Sequence, residues 1–295
     1  MIVVTGGHGF IGSHLVEYLR RLGYDVLTLD KQGNGRAKYD ISTPGEWVRY
    51  LKEADLVFHL AALADVRACN ENPELAFKDN TVTTMMVLEA MKYGKGKLIF
   101  TSSSAVYGSS PLPFKEEDLY NPLSIYGTTK VMSEELIKAY GRMFNLPYLI
   151  IRLSNVVGAG AKRGIVLDFI KKAREKELLI LGDGRQKRDF IHVSDVVKIL
   201  YGLSEEEGVY NVGSGSVLSA IEVAKIVCDE LSLNPKIRTE KEYGSGWEGD
   251  PHTVILDVSK MRSLGFNPMS AEEAVRRAVR ELMNQSSLLF NNLEY

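Results

Sequence analysis

The N-terminal stretch Ile2–Asp30 reads IVVTGGHGFIGSHLVEYLRRLGYDVLTLD. Its β-branched start is typical of a buried strand. Gly6, Gly9 and Gly12 follow at three-residue spacing, and apolar residues then recur at helical spacing up to Leu22. A second strand-like run ends on the terminal aspartate. Strand, glycine turn, amphipathic helix and strand in this order predict one βαβ unit.

The same unit has the features of a dinucleotide-binding turn. Glycines leave room for a pyrophosphate, and the helix N-terminus offers N–H groups to the anion. Asp30 lies 18 residues after Gly12, about where an acidic residue binds ribose hydroxyls. A plain βαβ turn needs one glycine and no such acid. Asp30 favours NAD over NADP because its charge repels a 2′-phosphate, although Lys31 and Arg36 nearby weaken that preference.

The bulk composition is that of an ordinary globular protein. Of 295 residues, 45% are hydrophobic and 25% charged, and the net charge is −2. This balance gives no sign of a nucleic-acid partner or an anionic membrane surface. Cys69 and Cys228 are far apart and match no metal spacing, and no histidine has ligand spacing, so we expect no metal and two buried thiols in a reducing compartment.

The termini and apolar runs bear on location. The first strand begins at residue 2, which leaves no room for a signal peptide. No run of 18 apolar residues suggests a membrane helix. We therefore expect a cytoplasmic protein.

Strands and helices alternate regularly up to about residue 153 and less regularly beyond it. The pattern predicts an α/β fold with a Rossmann-type, doubly wound parallel sheet. We expect an NAD-binding domain over residues 1–153 and a smaller, mixed α/β substrate domain over 154–295, with some segments crossing back and the ligand in the cleft between them. Long helices are predicted over 73–92 and 123–144, and a short strand is predicted to end at Asp40.

Tyr126 and Lys130 lie four residues apart on a predicted helix and so share a face. A tyrosine with its ordinary pKa of about 10 is a poor base at neutral pH. A nearby ammonium and a positively charged nicotinamide ring together stabilise its phenolate. A surface Tyr/Lys pair is common on helices, but the upstream cofactor unit and Ser103 after the fifth predicted strand favour a catalytic one.

These motifs together resemble the extended short-chain dehydrogenase/reductase family, in its NAD-dependent epimerase/dehydratase branch. Three matching segments are motifs: the glycine motif, the Ser-x-x-Val-Tyr-Gly segment and the Tyr-x-x-x-Lys pair, at Thr5–Gly12, Ser103–Gly108 and Tyr126–Lys130. The later matches are Asn155, Gly182–Asp195, Tyr210–Gly213 and Asp257–Gly265. Within the branch the chain is most similar to UDP-glucose 4-epimerases. The resemblance covers nearly the whole sequence.

The resemblance implies a reaction and a site. The reaction is epimerisation at the 4-position of a nucleotide sugar, UDP-glucose or UDP-galactose, through a 4-keto intermediate with NAD as cofactor. The implied catalytic residues are Ser103, Tyr126 and Lys130. The implied cofactor contacts are Tyr126 and Lys130, together with Gly6, Gly9, Phe10, Ile11, Gly12, Asp30, Lys31, Asp40, Ile41, Leu60, Ala61, Ala62 and Asn80. The implied substrate contacts are Ser103 and Tyr126, together with Ser104, Asn155, Arg188, Trp247, Asp250 and Val254.

For two pairs of these cofactor residues, the position after a predicted strand gives a further reason for the contact. Asp40 and Ile41 follow a predicted strand that could present a carboxylate to an adenine amino group, but a solvated loop acid fits the spacing nearly as well. Ala61 and Ala62 follow another strand, where small residues let the backbone approach a ligand.

Three positions bear on specificity, and the second departs clearly from the family pattern. Dehydratases carry an Asp-Glu pair where this chain has Ser104 and Ala105, which disfavours elimination of water. Many relatives read Arg-Pro-Gly-Asp where this chain reads Trp247–Asp250, so a diphosphate-binding arginine is absent at that position. Val254 stands where a tyrosine restricts the sugar pocket in relatives, so we expect the N-acetyl sugars to be accepted as well. A plain core role fits Val254 too.

The sequence is also compatible with other functions. The chain could be another nucleotide-sugar oxidoreductase, a decarboxylase or a dehydratase of the same family. It could instead be a non-catalytic dinucleotide-binding regulator, a class this fold also hosts. The resemblance also implies a homodimer built on the helices over 73–92 and 123–144, with Met85, Met86 and Met132 on their apolar surfaces.

Overall fold

The structure, a computed structural model, describes residues 1–32, 38–244 and 251–290, the last five of these by backbone alone. The described residues form two compact units. The first comprises Met1–Ser110, Glu116–Leu153 and Val197–Asn211. The second comprises Pro111–Lys115, Ser154–Val196 and the residues from Val212 onward. The division at residue 153 inferred from the sequence remains a prediction about the domains.

A six-stranded sheet forms the centre of the first unit. Its strands are β1 (Ile2–Thr5), β2 (Val26–Leu29), β3 (Leu56–His59), β4 (Lys97–Ser103), β5 (Tyr148–Leu153) and β9 (Gly208–Val212), in the order β2-β1-β3-β4-β5-β9. All registers from β2 to β5 are parallel. Strands buried on both faces are apolar throughout, as the Ile-Val-Val run of β1 is. The predicted Rossmann-type fold is confirmed.

Helices connect and cover this sheet. They are α1 (Phe10–Arg21), α2 (Trp47–Glu53), α3 (Val66–Glu71), α4 (Pro73–Ala76), α5 (Thr83–Met91), α6 (Ile125–Phe144) and α8 (Val193–Gly202). Trp47, Leu51, Leu88 and Met91 are fully buried among the side chains of the sheet. The core therefore lies where the apolar stripes of α2, α5 and α6 meet the strands.

The predicted strand ending at Asp40 is wrong for the described residues. Only an isolated parallel bridge joins Asp30 to Lys38, and β2 is the edge of the sheet. The Asp40 carboxylate instead accepts hydrogen bonds from the backbone N–H of Ser42, at 3.0 Å, and from its hydroxyl, at 2.6 Å. This local bonding turns the chain and ends the extension.

The predicted single helix over 73–92 contains a π-helical turn, Phe77–Val82, between α4 and α5. The Thr84 hydroxyl donates to the Asn80 carbonyl at 2.6 Å, and the Thr83 hydroxyl donates to the Lys78 carbonyl at 3.1 Å. Threonine hydroxyls that bond back to the preceding turn replace regular backbone bonding and distort a helix. Such turns are frequent at functional sites.

The second unit has short strands packed against helices. The strands are β6 (Asn155–Val157), β7 (Glu177–Ile180), β8 (Lys187–His192), β10 (Val217–Ser219), β11 (Lys236–Thr239) and β12 (Thr253–Val254), and the helices are α7 (Ile165–Lys172), α9 (Ala220–Leu231), α10 (Ser259–Ser263) and α11 (Ala271–Phe290). Strand β8 pairs with β6, β10 and β12, and β7 pairs with β11. Side chains of α7, α9 and α11 form its core.

In the described ranges, no helix has both the length and the apolar character needed to cross a membrane.

Candidate active site

The turn after β1 is closed too tightly for side chains. Gly6 has φ +71°, in the left-handed region, and a Cβ on it would lie 2.7 Å from the backbone nitrogen of Ala61. A Cβ on Gly12 would lie 2.0 Å from the Gly6 carbonyl oxygen. Among the described residues no side chain caps the N-terminus of α1, and its first turn holds no acid. The turn and helix N-terminus therefore fit the pyrophosphate of a dinucleotide.

Asp30 lies beside this turn. One carboxylate oxygen accepts a hydrogen bond from the His8 backbone N–H at 3.0 Å, and the other accepts one from the Gln32 N–H at 2.8 Å. Each oxygen keeps a further lone pair. Asp30 is thereby fixed at the end of β2, with acceptor capacity left for ribose hydroxyls.

Lys31 forms ion pairs with two acids. Its Nζ lies 2.6 Å from Asp79 Oδ1 and 3.6 Å from Asp40 Oδ1. Burial alone would lower the pKa of Lys31, but the hydrogen bond and charge of Asp79, with those of Asp40, outweigh burial and raise the pKa. Its positive charge is compensated within the protein, so Lys31 is a weaker attraction for a 2′-phosphate than the sequence suggests.

The loop after β3 runs beside the glycine turn. The Leu60 N–H donates to the Thr5 carbonyl at 3.1 Å, and the Ala61 N–H donates to the Thr5 hydroxyl at 3.2 Å. Small residues here allow that close approach to Thr5. The cofactor contacts proposed for Leu60, Ala61 and Ala62, like those of Phe10, Ile11 and Ile41, remain predictions.

Asn80 is 2% exposed and uses its amide within the protein. Its Oδ1 accepts from the Leu63 N–H at 2.7 Å, and its Nδ2 donates to the Leu63 carbonyl at 3.1 Å and to the Thr129 hydroxyl at 2.9 Å. The π-helical turn thus ties the loop after β3 to α6. A direct contact from Asn80 to the cofactor remains a prediction.

The three predicted catalytic residues lie on two elements in packing contact. Ser103 is the last residue of β4, and Tyr126 and Lys130 lie on α6. Lys130 Nζ donates to the Thr101 carbonyl of β4 at 2.9 Å and lies 5.9 Å from the centre of the Tyr126 ring. The Ser103 hydroxyl oxygen accepts a hydrogen bond from the Ala105 N–H at 3.2 Å, which begins the 3₁₀ turn Ser104–Val106.

Burial sets the electrostatics around Lys130. It lowers the pKa of Lys130 to about 8, while the negative charge of Glu134 acts in the raising direction. Burial, aided by the charge of Lys130, also lowers the pKa of His59 to about 3, so His59 is neutral. His59 Nδ1 lies 2.7 Å from the Thr5 hydroxyl and Nε2 lies 3.1 Å from the Thr84 hydroxyl, which supports a structural role.

Three predicted substrate residues lie on neighbouring strands of the second unit. Arg188 is on β8, Val254 is its register partner on β12, and Asn155 begins β6 opposite Phe190 of β8. Arg188 Nη1 donates to the Lys187 carbonyl at 2.8 Å. Trp247 and Asp250, like Arg36, lie outside the described residues.

Sequence reasoning missed two features. Glu134 and Arg152 form a buried ion pair, and Asp79 pairs with Lys31. Glu134 continues the Tyr126, Lys130 spacing by four more residues, which is a readable signal. Arg152 and Asp79 gave none, because their partners are distant in the sequence. Over the residues that the structure covers, no group of three or more histidines, cysteines, aspartates or glutamates could hold a metal ion.

Comparison with known proteins places this geometry in a family. Residues 2–213 match the model of the NAD dependent epimerase/dehydratase family. The chain belongs to this family. NAD is its cofactor, in keeping with the glycine turn and Asp30.

Curated relatives of the same family match along nearly the whole chain. A protein described as a putative UDP-glucose 4-epimerase from Methanocaldococcus jannaschii is 37% identical, over 97% of this chain and 99% of its own. A UDP-N-acetyl-alpha-D-glucosaminuronate decarboxylase from Bacillus cytotoxicus is 33% identical, over 96% and 98%. Among solved structures, UDP-glucose 4-epimerase from Thermus thermophilus in complex with NAD has a TM-score of 0.84 and 29% identity, over 95% and 98%. The family therefore includes epimerases and decarboxylases that act on nucleotide sugars.

Proposed function

We propose that the protein interconverts UDP-glucose and UDP-galactose by NAD-dependent epimerisation at the sugar's 4-position. The observation that carries the proposal is the close approach of the buried Lys130 ammonium to the Tyr126 ring on α6, which packs on the strand ending at Ser103. A buried cation beside a phenol favours the phenolate, which makes the tyrosine a base at neutral pH.

Each residue has a proposed role. Tyr126 takes the proton of the 4-hydroxyl and later returns it to the 4-keto oxygen. Lys130 stabilises the phenolate, and Ser103 donates a hydrogen bond to the reacting oxygen. Bound NAD supplies the acceptor and donor for the hydrogen at the sugar's C4. Gly6, Gly12 and the N-terminus of α1 would hold its pyrophosphate, and Asp30 its adenosine ribose.

An epimerase is favoured over a dehydratase by the residues that follow Ser103. Ser104 and Ala105 form a 3₁₀ turn, and neither side chain is a carboxylate that could serve as the acid/base pair for elimination of water. A decarboxylase is the second candidate, because decarboxylases are among the relatives that match nearly the whole chain.

The proposed substrate site lies on the second unit. Arg188 would bind the diphosphate, with Asn155 nearby on β6. Val254 is the register partner of Arg188, which supports a position for Val254 beside the same ligand. Because valine is smaller than tyrosine, we expect UDP-N-acetyl sugars to be accepted too. Trp247, Asp250 and Ser104 complete the proposed set.

We also propose that the protein is a cytoplasmic homodimer. The two cysteines, Cys69 and Cys228, are buried free thiols, which fits a reducing compartment. Met85 on α5 and Met132 on α6 are exposed by 38% and 39%, and apolar side chains on adjacent helices fit a contact between two copies.

A panel of UDP-sugars tests the proposed function. The unmodified protein should convert UDP-glucose and UDP-galactose into each other, whereas Tyr126→Phe should retain NAD binding and lose turnover by about 100-fold or more. Ser103→Ala should cost less, since it removes a hydrogen bond and leaves the base. Release of carbon dioxide from UDP-glucuronate without 4-epimer products would support the decarboxylase instead.

The same panel tests the sugar pocket. Val254→Tyr should lower kcat/KM for UDP-N-acetylglucosamine relative to UDP-glucose, because the phenol ring would fill the space for the acetyl group. If the unmodified protein does not turn over the acetylated sugar, or if the substitution leaves the ratio unchanged, the pocket assignment is wrong.

A further inference from the structure

A buried ion pair stands behind the proposed catalytic residues. Glu134 of α6 and Arg152 of β5 have side chains that are 0% and 2% exposed, with Arg152 Nη2 2.8 Å from Glu134 Oε2. The Arg152 Nε lies 3.1 Å and 3.2 Å from the two carboxylate oxygens. Desolvation makes a buried ion pair weak as a source of stability. Its presence next to the site therefore calls for a functional account.

The carboxylate of Glu134 has two further hydrogen bonds. The Ser102 hydroxyl donates to Oε1 at 2.5 Å, and the Tyr120 hydroxyl donates to Oε2 at 2.8 Å. On the other side of the pair, Arg152 Nη1 donates to the Tyr107 hydroxyl at 2.7 Å. Tyr107 belongs to the segment that follows Ser103, so the pair holds both that segment and the end of β4.

Two successive residues of β4 are bonded to one face of α6. Thr101 accepts from Lys130, and Ser102 donates to Glu134 one helical turn further on. The next residue of the strand is Ser103. Because Tyr126, Lys130 and Glu134 recur every four residues, these two bonds fix Ser103 relative to the Tyr126 face.

The charge on Lys130 depends on the groups that face it. These are Cys69 from α3, His59 from β3, the Thr101 carbonyl and the Phe100 ring from β4, and Tyr126 and Glu134 from its own helix. His59 is neutral. The charge of Glu134 and, to a smaller extent, the Cys69 sulfur act to raise the pKa of Lys130.

Glu134 works against a strong effect of burial. Burial brings the pKa of Lys130 down to about 8, and the Glu134 carboxylate opposes that fall. Without the carboxylate, the pKa of Lys130 would move further toward neutrality. A neutral amine stabilises a phenolate less than an ammonium does.

We infer that Glu134, anchored by Arg152, is a positioning residue that keeps Lys130 charged and fixes Ser103 against Tyr126. The inference rests on the proposed function for its catalytic meaning, but the charge on Lys130 is measurable without turnover. Arg152 serves to hold the carboxylate in place, and its own charge is compensated by the pair.

Glu134→Gln tests the inference in two ways, with the NAD-loaded protein throughout. The pH at which kcat for UDP-glucose falls on the alkaline side should move down by about one unit or more, a tenfold change in the lysine's proton equilibrium. Carbon-13 NMR of labelled lysine, with Lys130→Met to assign the signal, should show the Lys130 pKa falling in parallel. Tyr120→Phe is the matched control, because it removes one hydrogen bond to Glu134 but no charge. The pH at which kcat falls and the pKa of Lys130 should both be unchanged in this variant.

The outcomes separate the two hypotheses. Suppose that the unmodified protein epimerises UDP-glucose, and that Glu134→Gln lowers kcat equally at every pH and leaves the Lys130 pKa unchanged. The ion pair is then only structural, and the inference is overturned. If the unmodified protein does not epimerise, the proposed function fails, and the lysine titration alone still decides whether Glu134 sets the charge. Should Glu134→Gln not fold, Glu134→Gln/Arg152→Met leaves no unpaired buried charge. It should lower the Lys130 pKa as well, and an unchanged pKa there would equally overturn the inference.

Discussion

At the scale of single residues, Lys31 illustrates how neighbours decide what a side chain can bind. Its position after Asp30 suggests attraction for a 2′-phosphate, yet Asp79 and Asp40 compensate its charge. Asp79 lies 48 residues away in the sequence, so no local pattern reveals the pair. Asp30 itself was predictable, because the end of the second strand of a βαβ unit is fixed by the unit's own length.

Asp79→Asn should weaken the preference for NAD over NADP. Freed from its closer acid, Lys31 would attract a 2′-phosphate, and a half-exposed ion pair of this kind is worth about 0.2–1 kcal/mol, or up to about fivefold in the affinity ratio. Glu89→Gln, which breaks the similar Lys92–Glu89 pair, is the control. Calorimetric titration with both cofactors measures the ratio, and an unchanged ratio in Asp79→Asn would show that Lys31 does not face the ribose.

At the scale of elements, the order of strands and helices was readable and several details were not. Apolar runs and the Ser124 cap of α6 are local signals, so the elements of the first unit lie close to where the sequence predicts them. The π-helical turn was missed because Thr83 and Thr84 are compatible with an ordinary helix until their hydroxyls bond back to it. The strand at Asp40 was over-predicted because Ser42 offered its carboxylate a local partner.

His59 joins β1, β3 and α5 as a neutral group, and its burial makes the fold sensitive to acid. The folded protein protonates His59 only near pH 3, whereas an unfolded chain does so near 6.5. Unfolding therefore takes up a proton between these values. The contribution of His59 to the stability of the fold is therefore complete above about pH 6.5. It decreases by about 1.4 kcal/mol for each pH unit as the pH falls toward 3.

Urea unfolding at pH 7.5 and 5.0 measures this contribution. His59→Gln should be less stable than the unmodified protein at pH 7.5, and the gap should narrow at pH 5.0. If the difference in free energy of unfolding between the two proteins is the same at both pH values, His59 is not a neutral buried group.

At the scale of the whole molecule, the proposed dimer depends on surfaces of the first unit. Phe77, Met85 and Met132 are exposed apolar side chains on the helical segments that the proposed contact would use. The double substitution Met85→Glu/Met132→Glu should yield monomers at micromolar concentration, because four buried carboxylates would have to be desolvated in the contact. Sedimentation velocity measures the mass. Leu264→Glu, on an exposed side chain of the second unit, is the control and should leave the dimer intact; a monomeric unmodified protein would contradict the proposal.

The path of the hydrogen at C4 of the sugar tests the proposed oxidation and reduction. If Tyr126, Lys130 and Ser103 support oxidation and reduction at that carbon, UDP-glucose deuterated at C4 should yield UDP-galactose that keeps the deuterium at C4, in ordinary water and without added cofactor. NMR and mass spectrometry of the sugars measure the label. Loss of the deuterium to solvent, or the absence of any 4-epimer, would rule out hydride transfer at C4 by these residues.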